Sequence, residues 1–258
     1  MIEGVVSFLG KLPVTDVAFT VSLVLIIVLF IYNQLRKGKS MPNLRRTAGF
    51  ERIKYLVDMA VESGRPIHLS LGLGAINSPG VVDSTVGLTV LEYINARAAG
   101  IQQRSNVTCG EATLLASTLG IVPGDQPYPS GGDRHADGSY FCGPDPLTYA
   151  NGVVEHLGWQ RPAGNLFMGY TGAECLYIAG APVSRQIQQA GGASSPLAAA
   201  LLYAATGESL VGEEFYAARA YLHRSADVKS LIFQDWLRYI ILFSVIGGVV
   251  LASIGFGR

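Results

Sequence analysis

The sequence predicts an α/β fold: a Rossmann-like, mainly parallel sheet domain inserted between two transmembrane helices. Residues 67–71 form a short apolar run, followed by a glycine-rich loop and by helical spacing up to residue 95, the pattern of a buried strand and its crossover helix. Similar joints between a strand and a helix recur later in the chain. Two uncharged apolar stretches lie near its ends, at residues 17–35 and 239–256.

The composition agrees with a membrane protein. The 258 residues leave room for one core domain with appendages, and 49% of them are hydrophobic while only 15% are charged. A formal net charge of zero argues against a nucleic-acid partner. The three cysteines, Cys109, Cys142 and Cys175, lack a CxxC spacing and predict reduced thiols rather than a disulfide framework.

Residues 17–35 and 239–256 predict transmembrane helices, each near the roughly 17–25 residues that cross a bilayer. Residues 1–16 then form an extracytoplasmic segment. Acidic residues before the first stretch and basic residues after it reverse the order of a cleaved signal peptide, so we predict an uncleaved anchor. Ser244, Gly248 and Ala252 recur every four residues and predict a face for helix packing. Alternatively, such small residues are simply common in membrane helices.

Basic residues are concentrated on the inner side of both predicted spans. The positive-inside rule therefore places the α/β domain of residues 65–224 in the cytoplasm and both termini outside, in the cell inner (plasma) membrane, with membrane lipids as partners. Most of these residues belong to the juxtamembrane segment and amphipathic helix, 36–64, or to the connecting helix, 225–238 (Arg36, Lys37, Lys39, Arg45, Arg46, Arg52, Lys54, Lys229, Arg238).

Turn signals divide the middle region into regular elements. Residues 47–62 show helical spacing that is closed by Ser63 and Gly64. Residues 102–107 are typical of a strand. Thr108 and Glu111 then match a T-x-x-E capping box that opens a helix at residues 112–119.

The same kind of joint recurs twice. Residues 165–170 predict a strand, followed by Thr171, Glu174 and an apolar helix. Residues 198–205 predict another strand, followed by Thr206, Glu208 and a helix that ends at residue 222. Strands that alternate with helices indicate a mainly parallel sheet covered on both faces.

Residues 121–146 are rich in glycine, proline and aspartate, and we expect a flap or a partner-binding arm there. Asp137 and Gly138 predict the turn of a small hairpin whose return strand is residues 139–141. Asp145 and Pro146 predict the N-cap and first position of a helix that ends at Leu157.

Three glycines, Gly72, Gly74 and Gly80, form a loop after the first strand. Their G-x-G-x5-G spacing matches neither the dinucleotide fingerprint nor a P-loop. The acid expected about twenty residues further on falls at Glu92, inside a helix pattern. A tight turn that requires glycine explains the spacing without a ligand. We therefore predict no dinucleotide and no other cofactor.

The sequence contains no recognisable catalytic or metal-binding constellation. Cys109 lies at a predicted helix start, where the dipole favours a thiolate, but no motif links a histidine to it. A small buried residue at a helix start explains it more simply. The histidines show neither HxH nor HExxH spacing, which predicts no metal site, and no GxSxG elbow is present. Whether the chain is an enzyme stays open.

Acidic residues at helix starts are the best candidates for a ligand site. In a parallel sheet the helix starts meet at the carboxyl edge, where ligands usually bind. That arrangement would bring together Asp83, Glu111, Glu174 and Glu208. Their negative charge would favour a cationic or metal-linked ligand over a phosphate. Alternatively, these carboxylates are helix caps with a structural role.

Three joints carry a resemblance to a known family: NVTCGEATLLASTLG, MGYTGAE and ATGESLVGEEFYAARAYL. Together with the two terminal spans they resemble an uncharacterised family of bacterial two-span membrane proteins carrying a cytosolic α/β domain of unknown function. The resemblance covers residues 42–224. It implies neither an activity nor site residues.

Two functions fit these observations. The first is a membrane-anchored structural or assembly subunit, a scaffold that organises a homo-oligomer or a larger complex with another membrane protein. The missing catalytic constellation and the small residues of the second span favour it. The second is a membrane-bound enzyme or sensor that binds a small cationic or metal-linked ligand at the acidic carboxyl edge of the sheet.

Overall fold

The computed structural model describes residues 23–28, 30–31, 44–75, 78–98, 105–121, 138–223 and 228–253. The chain forms two compact units, Leu44–Ser225 and a terminal unit of Met1–Asn43 with Ala226–Arg258. Segment 1–16, most of the first predicted span and most of the predicted flap lie outside the described residues.

Strands and helices alternate along the unit Leu44–Ser225. Its helices are α1 (Ala48–Ser63), α2 (Val81–Ala98), α3 (Ala112–Ile121), α4 (Pro146–Gln160), α5 (Glu174–Ser184), α6 (Pro196–Thr206), α7 (Glu213–Tyr216) and α8 (Ala218–His223). Its strands are β1 (Ile67–Gly72), β2 (Asn106–Cys109), β3 (Ser139–Phe141), β4 (Gly164–Tyr170), β5 (Gln188–Ala193) and β6 (Ser209–Val211).

In the described residues the strands form one sheet in the order β3-β2-β1-β4-β5-β6, and all neighbouring strands are parallel. This is the strand order of a Rossmann fold, with β1 and β4 side by side at the point where the order of the strands reverses. The α/β class and the Rossmann-like sheet predicted from the sequence are confirmed.

Helices cover both faces of the sheet. α1, α2 and α8 pack together on one face, while α4, α5 and α6 pack side by side on the other. Side chains alternate between the two layers along β1, since Leu71 approaches α2 and Ser70 bonds to Tyr149 of α4. The core beneath the second layer is aromatic and aliphatic (Tyr149, Val153, Leu157, Phe167, Ile178, Leu202).

The caps of α1 and α4 agree with the sequence. The Asp145 carboxylate accepts hydrogen bonds from the N–H groups of Leu147 and Thr148 at the start of α4. Gly64 ends α1 in the left-handed conformation, with φ 63°. The predicted end of α4 is wrong, because the helix runs to Gln160 and Arg161 adopts the left-handed conformation beyond it.

The third predicted joint is wrong. Residues 198–205, predicted as a strand, belong to α6, whose alanines and leucines have high helix propensity. Pro196 occupies the first turn of α6, and Gly207 ends the helix with φ 76°. The single helix predicted from Glu208 is instead β6 followed by the short helices α7 and α8.

The sequence analysis did not predict the strand β5. β5, with the sequence QQAGGA, lacks β-branched and aromatic residues, and its glycine pattern reflects close strand packing. A Cβ at Gly191 would lie 2.3 Å from the carbonyl oxygen of Phe167 on β4. Residues 139–141 form the predicted strand, β3, which pairs in parallel with β2, while the partner strand of the predicted hairpin lies outside the described residues.

In the terminal unit, residues 23–28 and 30–31 are helical, and α9 spans Val228–Ser253. The rings of Phe30 and Phe233 meet edge to face with centroids 5.7 Å apart. Within the described part of the chain, no helix combines the length and the apolar character that crossing a membrane requires. Ser244 is exposed on α9, whereas the exposure of positions 248 and 252 is not described.

Candidate functional site: the carboxyl edge of the sheet and the exposed face of α5 and α6

The carboxyl edge between β1 and β4 is the place where this fold normally binds ligands. β1 leads to α2 on one face of the sheet, and β4 leads to α5 on the other. Ligands of Rossmann-like proteins occupy the crevice at such a change of direction. Here the crevice is bounded by the glycine loop after β1 and by residues 171–173 after β4.

Tyr170 closes the glycine loop. Gly72 has a positive φ of 74°, and a Cβ there would lie 2.0 Å from the carbonyl oxygen of Tyr170. A Cβ at Gly80 would lie 2.7 Å from the Tyr170 ring, and one at Gly74 would lie 2.2 Å from the Ser84 hydroxyl. That hydroxyl donates to the carbonyl groups of both Gly74 and Gly80. Close packing therefore accounts for all three glycines.

Several of the described N–H groups of this loop have partners within the domain. Ala75 and Gly80 donate to the hydroxyl of Ser78 at 3.1 and 3.3 Å. Gly72 donates to the hydroxyl of Tyr149 at 3.0 Å. A phosphate cradle needs backbone N–H groups that point at the ligand. The N–H groups of Gly72, Ala75 and Gly80 are therefore already engaged and do not point at a ligand.

Asp83 holds three elements together. It is 4% exposed in the first turn of α2. Its carboxylate accepts hydrogen bonds from Ser194, which follows β5, at 2.5 Å, and from the Tyr216 hydroxyl of α7 at 2.7 Å. Burial, followed by the bond to Asp83, raises the pKa of Tyr216, so the phenol stays a hydrogen-bond donor.

Glu111 caps α3, whereas Glu174, the first residue of α5, bonds back to a residue that precedes its helix. Glu111 accepts hydrogen bonds from the N–H and the hydroxyl of Thr113 at 2.6 and 2.5 Å, and these bonds lower the pKa of Glu111. Glu174 accepts the Gly172 N–H at 2.6 Å. The predicted capping box is wrong in one respect, since Thr108 lies within β2 and Glu111 itself caps α3.

Glu208 lies apart from the other three predicted acids. It immediately precedes β6, so it is at the amino edge of the sheet. The structure thus places Asp83, Glu111 and Glu174 at the carboxyl edge, each bonded to neighbouring groups of the domain. Their geometry agrees with the structural alternative considered for them.

Cys109 ends β2 rather than opening a helix, and it is buried. Its thiol donates to the carbonyl oxygen of Tyr140 at 3.4 Å. Burial raises the pKa of Cys109 to about 12. The thiol is therefore protonated at neutral pH and unsuited to act as a nucleophile.

A row of buried polar side chains crosses the sheet, and the sequence analysis missed it. Asn106, His68, Asn165 and Gln189 occupy one register on β2, β1, β4 and β5. His68 Nδ1 lies 2.6 Å from Asn165 Oδ1, and His68 Nε2 lies 3.0 Å from Thr108 Oγ1. The available signal was a polar residue at the second position of β1, β4 and β5.

Tyr149 extends this network toward the carboxyl edge. Its hydroxyl lies 2.7 Å from Ser70 Oγ and 3.4 Å from Thr108 Oγ1, and it accepts the Gly72 N–H. Burial raises the pKa of Tyr149, so the hydroxyl remains neutral. Through Tyr149 the network joins α4 to β1 and β2, which indicates a structural role.

We expect protonation of His68 to destabilise the protein below about pH 6.5. Burial, and then the nearby His156, lowers the pKa of His68 from 6.5 to about 3. The unfolded chain therefore binds a proton that the folded chain excludes, and stability present above the unfolded pKa is lost as the pH falls toward 3. Between pH 7 and pH 5 the loss from His68 is about 2 kcal/mol.

Urea unfolding of the wild type and of His68→Gln at both pH values measures this contribution. The variant should lose about 2 kcal/mol less than the wild type on acidification. Equal losses in the two proteins would contradict the assignment, whatever the absolute stability of the variant.

Beyond Glu174, the first residue of α5, the exposed side of α5 and α6 carries no charge, and we call this surface the α5–α6 face. Its large apolar side chains are 48–60% exposed (Leu176, Tyr177, Val183, Leu197, Tyr203). Small residues lie between them (Gly180, Ala200, Ala204). The layer on the other side of the sheet differs, since it contains the ion pairs Lys54–Glu51 and Arg97–Asp58.

The strand order and the two helical layers define the chain as a Rossmann-like α/β protein. It belongs to the family described as Domain of unknown function (DUF6754), whose model matches residues 10–257. No curated protein and no solved structure matches the chain. Membership of an uncharacterised family, predicted from the three joints, is confirmed.

Proposed function

We propose that the protein is a membrane-anchored assembly subunit whose Rossmann-like domain associates with a second copy of the same chain. The observation that carries this proposal is the uncharged α5–α6 face. Contiguous apolar patches larger than a few hundred Å² are rare on monomeric soluble proteins. With roughly 150–250 Å² for a large side chain, the exposed parts of the five side chains on the α5–α6 face amount to roughly 500 Å².

The properties of the face favour a second copy as the partner. A two-fold interface brings the same patch of both copies together, so like charges in such a patch would repel. The α5–α6 face has none. Its two tyrosines belong to a residue type enriched in interfaces. Its area supplies more than half of the roughly 800 Å² that each partner contributes to a stable interface.

The carboxyl edge gives less support to the alternative, an enzyme or sensor for a cationic or metal-linked ligand. The three acids at this edge bond to groups of the domain itself, and Tyr170 covers the glycine loop. A ligand there would have to compete with these internal bonds. Assembly requires no such rearrangement.

The anchoring part of the proposal rests on the uncharged stretches at residues 17–35 and 239–256. α9 adds support, because Ile241, Phe243 and Ile246 on its surface are at least half exposed. Removing these apolar side chains from water, by contact with lipid or protein, is energetically favourable. The basic flanks then place the domain in the cytoplasm and both termini outside, in the inner (plasma) membrane.

Cross-linking in membranes tests the association. Ala200 is exposed on the α5–α6 face and Glu62 is exposed on α1, so Ala200→Cys and Glu62→Cys form a matched pair. A short bismaleimide should join two copies of Ala200→Cys and leave Glu62→Cys monomeric. The unchanged protein corrects for reaction at Cys142, the partly exposed native cysteine. Equal cross-linking of the two variants would contradict the proposal.

We expect the cysteine of Glu62→Cys to face the cytoplasm, because the charge flanks orient both spans. A membrane-impermeant maleimide should label it only after the cells are broken. Glu62→Cys serves better than Cys109, whose burial hides the thiol. Labelling of intact cells would overturn the orientation and leave the cross-linking result unaffected.

A further inference from the structure

We propose that the cleft between β3 and α4 binds a small organic cation that also carries a hydroxyl or N–H donor. The cleft has a volume of about 240 Å³. It lies beside the edge strand of the sheet, and the residues that line it belong to neither the glycine loop nor the α5–α6 face. The inference therefore stands independently of the proposed assembly.

Aromatic side chains form much of the cleft wall. Tyr140 and Phe141 come from β3, and Trp159 comes from the last turn of α4. Trp159 is 72% exposed, so its ring is accessible to a ligand. The electron-rich faces of aromatic rings attract cations, and cages of such rings are a common means of binding alkylated ammonium groups.

The charge of the cleft agrees with a cationic ligand. Among the described residues that line it, Glu155 alone carries a formal charge at neutral pH, and it lies one turn before Trp159 on α4. A carboxylate beside aromatic rings complements a cation and disfavours an anion. No basic side chain contributes to the described lining of the cleft.

His156 points to a ligand in the cleft independently of the aromatic residues. It lines the cleft, is only 9% exposed, and has a buried Nε2 without a hydrogen-bond partner among the described residues. Buried polar atoms normally have partners, so such an atom beside a cleft indicates a missing one. Burial lowers the pKa of His156 to about 4. The neutral ring adds no positive charge and can accept a hydrogen bond from the ligand.

The Tyr140 ring holds His156 in this position. The two ring centroids are 4.4 Å apart, and on its other side His156 is 5.5 Å from His68. The cleft is thereby connected to the buried polar row of the sheet. The lining residues belong to a paired strand and a helix, whose fixed backbones favour specific binding.

Choline is a suitable probe, because it combines a quaternary ammonium group with one hydroxyl group. Titration of the full-length protein in detergent, followed by Trp159 fluorescence in a Trp236→Phe background, should show saturable binding. The neutral isostere 3,3-dimethylbutan-1-ol should bind at least about tenfold more weakly, since it lacks the charge. Sodium chloride at equal ionic strength should have no effect.

Variants then separate the contributions of the cleft residues. Glu155→Gln should weaken choline binding by about tenfold. His156→Phe should weaken choline binding and leave that of tetramethylammonium, which has no hydroxyl, unchanged. Calorimetry measures ligand binding by Glu155→Gln, His156→Phe and Trp159→Ala. The Trp159→Ala substitution should abolish binding. Absence of saturable choline binding, equal affinity for the isostere, or indifference to Glu155→Gln and Trp159→Ala would each overturn the proposal.

Discussion

Gly72→Ala is expected to destabilise the domain by about 3–5 kcal/mol, or to prevent folding altogether. Two effects combine at this position. The positive φ of 74° disfavours any residue with a Cβ, and that Cβ would lie 2.0 Å from the carbonyl oxygen of Tyr170. Neither β1 nor β4 can move away easily, because they are paired at the centre of the sheet.

Gly64→Ala is the matched control for this change. Gly64 has a similar φ of 63°, but a Cβ there would meet no atom within 4 Å. Only the backbone strain remains, and we expect a loss of about 1 kcal/mol. Denaturant unfolding of both variants separates strain from overlap. Similar losses in the two would show that the Tyr170 contact is not as close as described.

Tyr177→Glu and Leu197→Glu are expected to weaken self-association by at least about 100-fold each, equivalent to about 2.7 kcal/mol. Each substitution places a carboxylate in a two-fold interface. There it loses its hydration and lies near the same carboxylate of the second copy. Both side chains are more than half exposed, so the fold itself should be preserved. Energy transfer between donor-labelled and acceptor-labelled copies in liposomes measures the association.

Tyr55→Glu provides the control for these substitutions. Tyr55 is a 51% exposed tyrosine on α1, in the charged layer, and Arg52 lies over its ring. The same chemical change at this site should leave energy transfer unaltered. If Tyr55→Glu weakened association as much as Tyr177→Glu, the interface would involve the α1 layer instead.

The predictions from the sequence were correct where local sequence signals agreed with burial in the structure. β1 and β4 are apolar runs bounded by glycine or proline, and Asp145–Pro146 is a strong helix start, so the fold class followed from a few such segments. α6 and β5 failed because the local signal was misleading. The alanine-rich sequence of α6 resembles that of a buried strand. The β5 sequence, QQAGGA, lacks the β-branched residues that indicate a strand.

The site was harder to predict because it depends on partners distant in the chain. Asp83 was correctly associated with the carboxyl edge, but its bonds to Ser194 and Tyr216 span more than a hundred residues. Glu208 was misplaced because α6 was mistaken for a strand. The polar row became visible only through strand register, and the uncharged face only through the exposure of α5 and α6.

The mass of the full-length protein in detergent or nanodiscs tests the central claim most directly. We expect a species of at least two chains for the wild type and for Tyr55→Glu at micromolar concentration. We expect a single chain for a protein carrying both Tyr177→Glu and Leu197→Glu, with unchanged unfolding behaviour. A wild type that remains a single chain, or a doubly substituted protein that keeps the wild-type mass, would contradict assembly through the α5–α6 face.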